Sequence, residues 1–366
     1  MSFLEHFIDL SDPRKNNPNK QYSVALIVFI TISAVISGAN DWQEVAAFGS
    51  AKKGWIKKFV SLPDDDRTPS HDTIGDFFAR IKSEEFISCF IAWVSSLTGV
   101  LSMDLIAIDG KTLRSSYDQA SGKKAIHMIN AWSSNMRLCL ANLPVDDKTN
   151  EIKAIPDLLS LLELEGALIT IDAMGCQREI AKQIVEQKAD YVFSVKGNQE
   201  NLLRDITDSF KSSRDRETAS TLDKDHGRIE HRTCSVMEDL RDIIQKDEWK
   251  NLKTIIKMER KRTVMNTNKT SHEVLYYISS RSLSAQQALD TIRGHWAIEN
   301  QLHYVLDVQF FEDFSRIRTG EADINMATIR KIALNMIKLN HDKGSLNIKR
   351  HKAAWDDEFR QRIMKI

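Results

Sequence analysis

The pattern of apolar and polar residues has a helical period up to about residue 99. The longest apolar run, Val24–Ile36, is broken only by two hydroxyl residues, and it is shorter than the roughly 18 residues that a membrane span needs. Asp41 and Glu44 form a capping-box pattern. Ser70 precedes a set of apolar residues at helical spacing, namely Ile74, Phe77, Phe78 and Ile81. We therefore predict a helical N-terminal domain over residues 1–99, in which Val24–Ile36 is a buried helix.

The pattern changes near residue 100 to short apolar runs that are typical of strands. Strands are predicted over 104–109, 127–132, 137–143, 167–172 and 191–195, and helices over 154–163 and 176–187. Three strands followed by an alternation of helices and strands indicate a mixed sheet flanked by helices, which is an α/β fold.

Residues 200–280 differ from the segments on either side. Strand-like stretches at 227–237, 252–259 and 273–279 are separated by charged, turn-rich segments. This pattern predicts a β-rich insertion over 200–280. Long amphipathic helices follow Ser284 and continue to about Leu339, so the predicted core comprises residues 100–199 and 281–366.

Composition adds limits to this picture. The 366 residues, 42% of them hydrophobic, are enough for two or three domains with a full core. Lys plus Arg and Asp plus Glu each number 51, so the molecule has no overall field, and any contact with nucleic acid must use local patches. Basic runs occur at 52–58, 257–269 and 349–352. Runs of this kind more often form solvated surface than binding sites.

The four cysteines are far apart and form no C-x-x-C pair. This spacing argues against both a disulfide framework and a zinc site, and it favours a reducing cytoplasm. The balanced charge and the short apolar run predict no membrane partner.

Two acids end two of the predicted strands. Asp109 follows one apolar run and Asp172 another, and each precedes small residues, Gly110 in the first case and 173–175 in the second. A single acid in such a place is most often a turn former or a helix cap. Because ligands gather at the carboxyl ends of strands in α/β sheets, the repeated pattern marks both acids as candidates for a metal site.

A third acid is suggested by helical phase. At about 100° per residue, Glu299 falls within the apolar stripe that contains Trp296 and Leu302. A carboxylate on a face that packs on the sheet is costly unless it is paired or holds a metal. A salt bridge to Arg293 or a hydrogen bond to His303 is the structural alternative to a metal-holding role.

Three converging acids suit two Mg²⁺ ions, with Mn²⁺ as an alternative ion, because these cations prefer hard oxygen ligands. Such a pair of ions can promote hydrolysis or transfer of a phosphodiester without a side-chain nucleophile. This agrees with the lack of G-x-S-x-G, Walker, G-x-G-x-x-G and H-E-x-x-H motifs in the sequence. Basic and amide residues placed to reach phosphates beside the acids are Lys111, Arg114, Lys196 and Asn198.

The segments around these acids resemble the DDE transposases of bacterial insertion sequences, and more closely the subgroup that includes the H-repeat-associated proteins. The segments are AIDGKTLR (107–114), TIDAMGCQ (170–177), VKGNQ (195–199) and RGHWAIENQLHYVLDVQFFEDFSRIR (293–318). The N-terminal stretch, with Asp12-Pro13-Arg14, Gly38, Trp42 and Pro69-Ser70, resembles the leading domain of the same subgroup.

The resemblance implies an RNase H-like core with Asp109 at the end of its first strand, Asp172 at the end of its fourth and Glu299 on the helix after the β insertion. It also implies that Arg316 and Arg318 contact DNA. The wider group carries Tyr, Arg and Lys where this chain has Ile292, His295 and Leu306. The residues that we expect to replace their DNA contacts are Arg293, Trp296 and His303.

The implied activity is Mg²⁺-dependent cleavage and strand transfer at the ends of an insertion sequence. The implied partners are element ends and target DNA, and the pairing of two ends suggests at least a homodimer. Two alternatives remain open from the sequence, namely an RNase H-like nuclease that cuts without joining and a degenerate relative that binds DNA without cutting.

Overall fold

The computed structural model of the protein describes residues 3–14, 21–98, 101, 104–119, 122–145, 151–213, 215–225 and 227–365. The N-terminal part of these residues is helical, apart from its loops. After a short 3-10 turn, Phe3–Phe7, the helices are α1 (Val24–Ile36), α2 (Trp42–Ala51), α3 (Lys53–Ile56), α4 (His71–Arg80) and α5 (Ser83–Thr98).

Local signals in the sequence start these helices where they were predicted. Ser23 caps α1, which is buried from Leu26 to Ile36, so the prediction of a buried helix is confirmed. Asp41 accepts a hydrogen bond from the Glu44 backbone amide at 2.8 Å. The reciprocal bond of Glu44 goes to the amide of Asn40 at 2.6 Å, one residue earlier than a capping box requires. Across the described ranges, every helix is too short or too polar to cross a bilayer.

The sheet contains nine strands in the described part of the chain. They are β1 (Leu105–Thr112), β2 (His127–Ser133), β3 (Leu138–Val145), β4 (Leu168–Ile171), β5 (Asp190–Val195), β6 (Glu217–Asp225), β7 (Arg228–Met237), β8 (Thr254–Val264) and β9 (Thr270–Ser279). Between them lie α6 (Glu151–Ser160), α7 (Arg178–Glu186) and α8 (Glu200–Ser212).

The strand order is β3-β2-β1-β4-β5-β9-β8-β7-β6. β1 to β3 form an antiparallel meander, and β1, β4 and β5 are parallel. The first five strands in this order make the RNase H-like core that the sequence implied, with helices on its flanks. The α/β fold class is therefore confirmed.

The β-rich segment continues the same sheet. β9 pairs antiparallel with β5, and β8, β7 and β6 follow as a meander. The sequence predicted three strands here and missed β6, because ETASTLDKD is polar and half to fully exposed on both faces and so has no apolar alternation.

The C-terminal part returns to helices, namely α9 (Ala285–His295), α10 (Tyr304–Phe310), α11 (Ala322–Leu339), α12 (Leu346–Trp355) and α13 (Asp357–Met364). Between α9 and α10, Glu299–His303 forms a π-helical turn. α11 is buried along nearly its whole length and packs against α1, α4, α5 and β3. A single apolar core thus joins the N-terminal helices to the sheet.

Candidate active site

Asp109 lies inside β1 and not at its end, so the predicted strand boundary was wrong. β1 continues to Thr112 because β2 pairs with it over that stretch, and Asp109 is opposite Asn130. The parallel pairing with β4, however, stops at Ile108 opposite Ile171. On that side Asp109 therefore has no strand partner, and its carboxylate lines a cavity there.

Asp172 follows the last residue of β4, as predicted. Its Oδ1 accepts hydrogen bonds from the backbone amides of Met174 at 3.0 Å and Gly175 at 3.4 Å, which is the turn that an aspartate forms with its own following backbone. A Cβ on Gly175 would lie 2.3 Å from the Ile171 side chain. The glycine is therefore needed for the chain to turn back over β4.

Glu299 is not buried in the apolar stripe, so the helical-wheel prediction was wrong on this point. Its side chain is 53% exposed and Trp296 is 52% exposed, while Ile298 takes the buried place. The reason is local. α9 ends at His295, and the π-helical turn that follows has more residues per turn than the regular 3.6-residue helix. The phase calculated from Ile292 therefore does not hold at residue 299.

Three side chains form the centre of the site. One ligand atom each from Asp109, Glu299 and His303 lies within 4.8 Å of the others. His303 Nδ1 is 3.1 Å from Glu299 Oε2 and 3.7 Å from Asp109 Oδ2, and its Nε2 is 3.3 Å from Asn130 Nδ2. If Asn130 donates to Nε2, Nδ1 carries the proton and donates to Glu299.

Asp172 lines the same cavity as Asp109 and Glu299 but lies outside this closest group. The cavity has a volume of about 330 Å³. The structure thus brings all three predicted acids to one cavity from three different elements. Of the two structural alternatives for Glu299, the hydrogen bond to His303 is present, whereas Arg293 pairs with Asp223 at 3.3 Å.

Several carboxylates line this cavity, and their surroundings shift the pKa values of two of them. The pKa of Asp109 is raised to about 6, mainly by burial; His303 opposes this shift, and the nearby carboxylates of Asp172 and Glu151 contribute to it. The hydrogen bond from His303 lowers the pKa of Glu299. A partly buried carboxylate whose charged form is disfavoured by its surroundings gains stability from a bound cation. The oxygen-rich donor set therefore fits a divalent metal such as Mg²⁺.

His295 is a site residue that sequence reasoning did not select. It lines the cavity, and its Nδ1 is 2.9 Å from Thr170 Oγ1. Burial lowers the pKa of His295 to about 4, so the ring is neutral at pH 7. Asn130 was also missed, although a buried amide in the otherwise apolar strand HMINAWS is a signal that could have identified it.

Two residues predicted to contact DNA are buried instead. The Lys111 ammonium lies 2.6 Å from Asp307 and 3.0 Å from Asp313, in a position only 9% exposed. His303 is 3% exposed because it packs between β2 and the acids. Both side chains thus contact carboxylates within the protein, and their contact with DNA stays a prediction.

The remaining predicted contacts fall in different places. Lys196 and Trp296 are exposed at the acid cavity, and Arg293 is exposed beside it. Asn198 donates to the Ala173 carbonyl at 2.7 Å and so holds the loop after Asp172.

The three other arginines that were predicted to contact DNA lie away from the acid cavity. Arg114 is 82% exposed and lies 3.3 Å from Asp313. Arg316 lines a separate groove with Trp42 and Phe314. Arg318 donates to the Tyr117 carbonyl at 3.2 Å. These three arginines are absent from the residues that line the acid cavity.

An RNase H-like sheet with an acid-lined cavity beside its first and fourth strands defines the class of this protein. Comparison with known families assigns it further. Residues 101–336 match the family model described as "Transposase DDE domain", and residues 4–94 match the model described as "DDE_Tnp_1-associated". The chain belongs to the DDE transposase family.

Curated relatives agree with this assignment. "Putative transposase YncI" of Escherichia coli O157:H7 is 37% identical over 99% of this chain and 94% of its own length. "H repeat-associated putative transposase YhhI" of Escherichia coli K12 is 38% identical over 97% of this chain and 96% of its own length. A solved piggyBac transposase synaptic complex with hairpin DNA aligns over 99% of this chain and 78% of that chain, at 13% identity and a TM-score of 0.44.

Proposed function

We propose that this protein cleaves DNA at the ends of an insertion sequence and transfers the resulting 3′ ends to target DNA. The observation that carries the proposal is the convergence of Asp109, Asp172 and Glu299 on one cavity from β1, the loop after β4 and the π-helical turn. Membership of the DDE transposase family supports the same reaction class.

We assign Asp109, Asp172 and Glu299 as the residues that hold Mg²⁺, with Mn²⁺ as an alternative ion. When bound, a pair of such ions activates water or a 3′-hydroxyl on one side of a phosphodiester and stabilises the leaving oxygen on the other. The carboxylates supply the hard oxygen ligands that these ions prefer and leave room for phosphate oxygens.

Other residues of the chain position the acids and the substrate. His303 fixes the Glu299 carboxylate, and Asn130 holds the other nitrogen of that ring. Asn198 restrains the loop that carries Asp172. Lys196 is exposed at the cavity, where its ammonium is placed to bind a phosphate of the strand to be cut.

Pairing of two element ends requires two copies of the DNA-binding surface, so we propose that at least a homodimer acts on DNA. The partners are the element ends and the target DNA.

The proposal is tested by incubating labelled element-end DNA with Mg²⁺ and the wild type or the variants Asp109→Asn, Asp172→Asn and Glu299→Gln. Each variant keeps the size of the side chain and removes its charge, so cleavage should fall by about a hundredfold to a thousandfold while most DNA binding remains. Asp290→Asn, an exposed acid on α9, is the matched control and should cleave normally. Unchanged cleavage by any of the three variants removes that residue from the site.

A second measurement separates a transposase from a nuclease that only cuts. DNA with pre-cut 3′-hydroxyl ends is supplied together with a supercoiled target plasmid. Strand-transfer products support the proposal. Cleavage without joined products indicates a nuclease, and DNA binding without either product indicates a degenerate DNA-binding relative.

A further inference from the structure

A second cavity, of about 420 Å³, adjoins the acid cavity between the β insertion and α9. Five arginines and a single acid, Glu230, are the charged residues that line it within the described ranges. We call it the arginine groove; its arginines are Arg228, Arg232, Arg260, Arg262 and Arg293. This local excess of positive charge occurs in a chain whose formal net charge is +0.

Strand alternation produces the groove. Arg228 and Arg232 lie on one face of β7, and Arg260 and Arg262 lie on the same face of β8, since every second residue of a strand points the same way. Arg232 is directly opposite Arg260 in the register of the two strands. Like charges directly opposite each other destabilise a sheet, so this face retains positive charge at a cost to folding.

Acids offset this charge only in part. Arg232 contacts Asp223 and Glu230, and Arg260 contacts Glu273 at 2.5 Å. The Nε of Arg262 is buried and has no hydrogen-bond partner in the part of the chain that the structure describes. A buried donor without an acceptor is costly, and a ligand with negatively charged oxygens would satisfy it.

The arginine groove is continuous with the acid cavity. The two cavities share lining residues, among them Arg260, Tyr277 and Trp296. Trp296 is 52% exposed at this junction. A positively charged groove with an aromatic side chain beside it is the arrangement by which proteins hold a nucleic-acid strand, through phosphate contacts and base stacking.

We infer that the arginine groove binds the phosphate backbone of the DNA strand that leads away from the phosphodiester in the acid cavity, with Trp296 stacking on a base at the junction. The inference rests on the proposed function, and it adds the path of the substrate strand. The basic run at 257–269 is thereby divided between the two faces of β8. Only the face that carries Arg260 and Arg262 lies toward the DNA.

The two faces of β8 provide a matched test. Arg260→Gln/Arg262→Gln removes two charges from the groove face, whereas Lys257→Gln/Lys261→Gln removes two charges from the opposite face of the same strand. Binding of each protein to a fluorescein-labelled single-stranded oligonucleotide of mixed sequence is measured by fluorescence anisotropy over a range of salt concentrations, without divalent metal. The wild type is measured in parallel.

We expect the arginine variant to bind roughly tenfold more weakly at moderate salt, and its log K against log salt slope to fall by about 0.7 for each lost phosphate contact. The lysine variant should bind nearly as the wild type does. Equal losses in the two variants, or no loss in the arginine variant, would overturn the inference. Because Arg260 also pairs with Glu273, Arg262→Gln alone is measured as well, and it should give about half of the change in slope.

Two further arms identify the ligand class and separate this inference from the proposed function. Polyglutamate that competes as well as DNA at equal charge would overturn a nucleic-acid ligand in favour of an acidic protein. Asp290→Asn changes an exposed acid on α9 that lines neither cavity, and it should retain wild-type affinity for the oligonucleotide; a loss equal to that of the arginine variant would overturn the inference. If the wild type fails to cleave DNA while the arginine variant still loses affinity, the proposed function fails and the assignment of the groove stands.

Discussion

At the scale of single residues, Asp109 is the most strongly desolvated of the three acids. Burial and two neighbouring carboxylates raise its pKa to about 6 from 3.8. The shift means that the fold disfavours the ionised carboxylate by about 3 kcal/mol. Its sign follows from proton binding. Between about pH 4 and pH 6 the folded protein holds a proton that the unfolded chain has released, so the metal-free protein loses stability as the pH rises through this range.

We therefore predict that Asp109→Asn stabilises the protein in a chelator at pH 7, by roughly 1–3 kcal/mol, because it removes a charge that the fold disfavours. Mg²⁺ should stabilise the wild type through binding to the folded state and should have little effect on the variant. Urea unfolding with and without Mg²⁺ measures both effects. A variant less stable than the wild type in the chelator would contradict this account of the cavity.

The same carboxyl sets a pH dependence for metal binding. Below about pH 6 a proton competes with the metal for Asp109, so Mg²⁺ affinity should fall by about tenfold per pH unit in that range. His295 does not contribute to this change, since its pKa is about 4. Calorimetric titration of Mg²⁺ at pH 5 and pH 7.5 checks the prediction. Equal affinity at the two values would exclude Asp109 as a ligand.

At the scale of elements, departures from regular geometry place the functional groups. The π-helical turn Glu299–His303 rotates Glu299 away from the buried face. Among the described residues, the early end of the parallel pairing leaves Asp109 without a paired strand residue on the β4 side. π-helical turns inside α-helices are frequent at functional sites. Neither departure is visible in an ideal helical wheel or a strand pattern.

The junction between the N-terminal helices and α11 depends on a glycine. Gly320 has φ +54, and a Cβ on it would lie 2.2 Å from the Ala79 carbonyl oxygen, which accepts a hydrogen bond from the Glu321 amide at 3.0 Å. Gly320→Ala should therefore destabilise the protein by roughly 2–4 kcal/mol, through both strain and a backbone clash.

The matched control is Gly227→Ala, because Gly227 has φ +72 and open space around its Cβ position. This substitution should cost only the backbone strain, about 1 kcal/mol. Urea midpoints at constant m-value give both figures. If the two substitutions cost the same, the close approach between Gly320 and Ala79 does not contribute to stability.

At the scale of the whole molecule, α11 connects the two segments that match separate family models. It packs against α1, α4 and α5 on one side and β3 on the other. The Asn325 amide donates to the Phe78 carbonyl at 2.8 Å and the Ile81 carbonyl at 3.1 Å. The N-terminal helices therefore share their apolar core with the sheet.

We predict a single unfolding transition for the intact chain, because separating the two segments would expose this shared core to water. Far-ultraviolet circular dichroism and tryptophan fluorescence should give the same midpoint in urea. An earlier transition of the N-terminal helices, seen by either probe, would show that the two segments are stable independently of each other.

Local patterns in the sequence were sufficient for most elements of the fold. Caps at Asp41 and Ser70 and apolar periodicity located the N-terminal helices, and apolar runs located the strands of the core. These signals are readable because each depends on neighbours within a few residues. β6 was missed because its face carries no apolar alternation.

By itself, the sequence determined the type of most buried elements, the three candidate acids and the resemblance to the DDE transposases. Only the tertiary structure decided which side chains share the cavity. It buried Lys111 and His303 among carboxylates, brought His295 and Asn130 to the site, and aligned arginines from β7, β8 and α9 into one groove. The physical reason is that burial, pKa and charge density depend on residues distant in the chain, whereas helix caps and strand periodicity depend on adjacent ones.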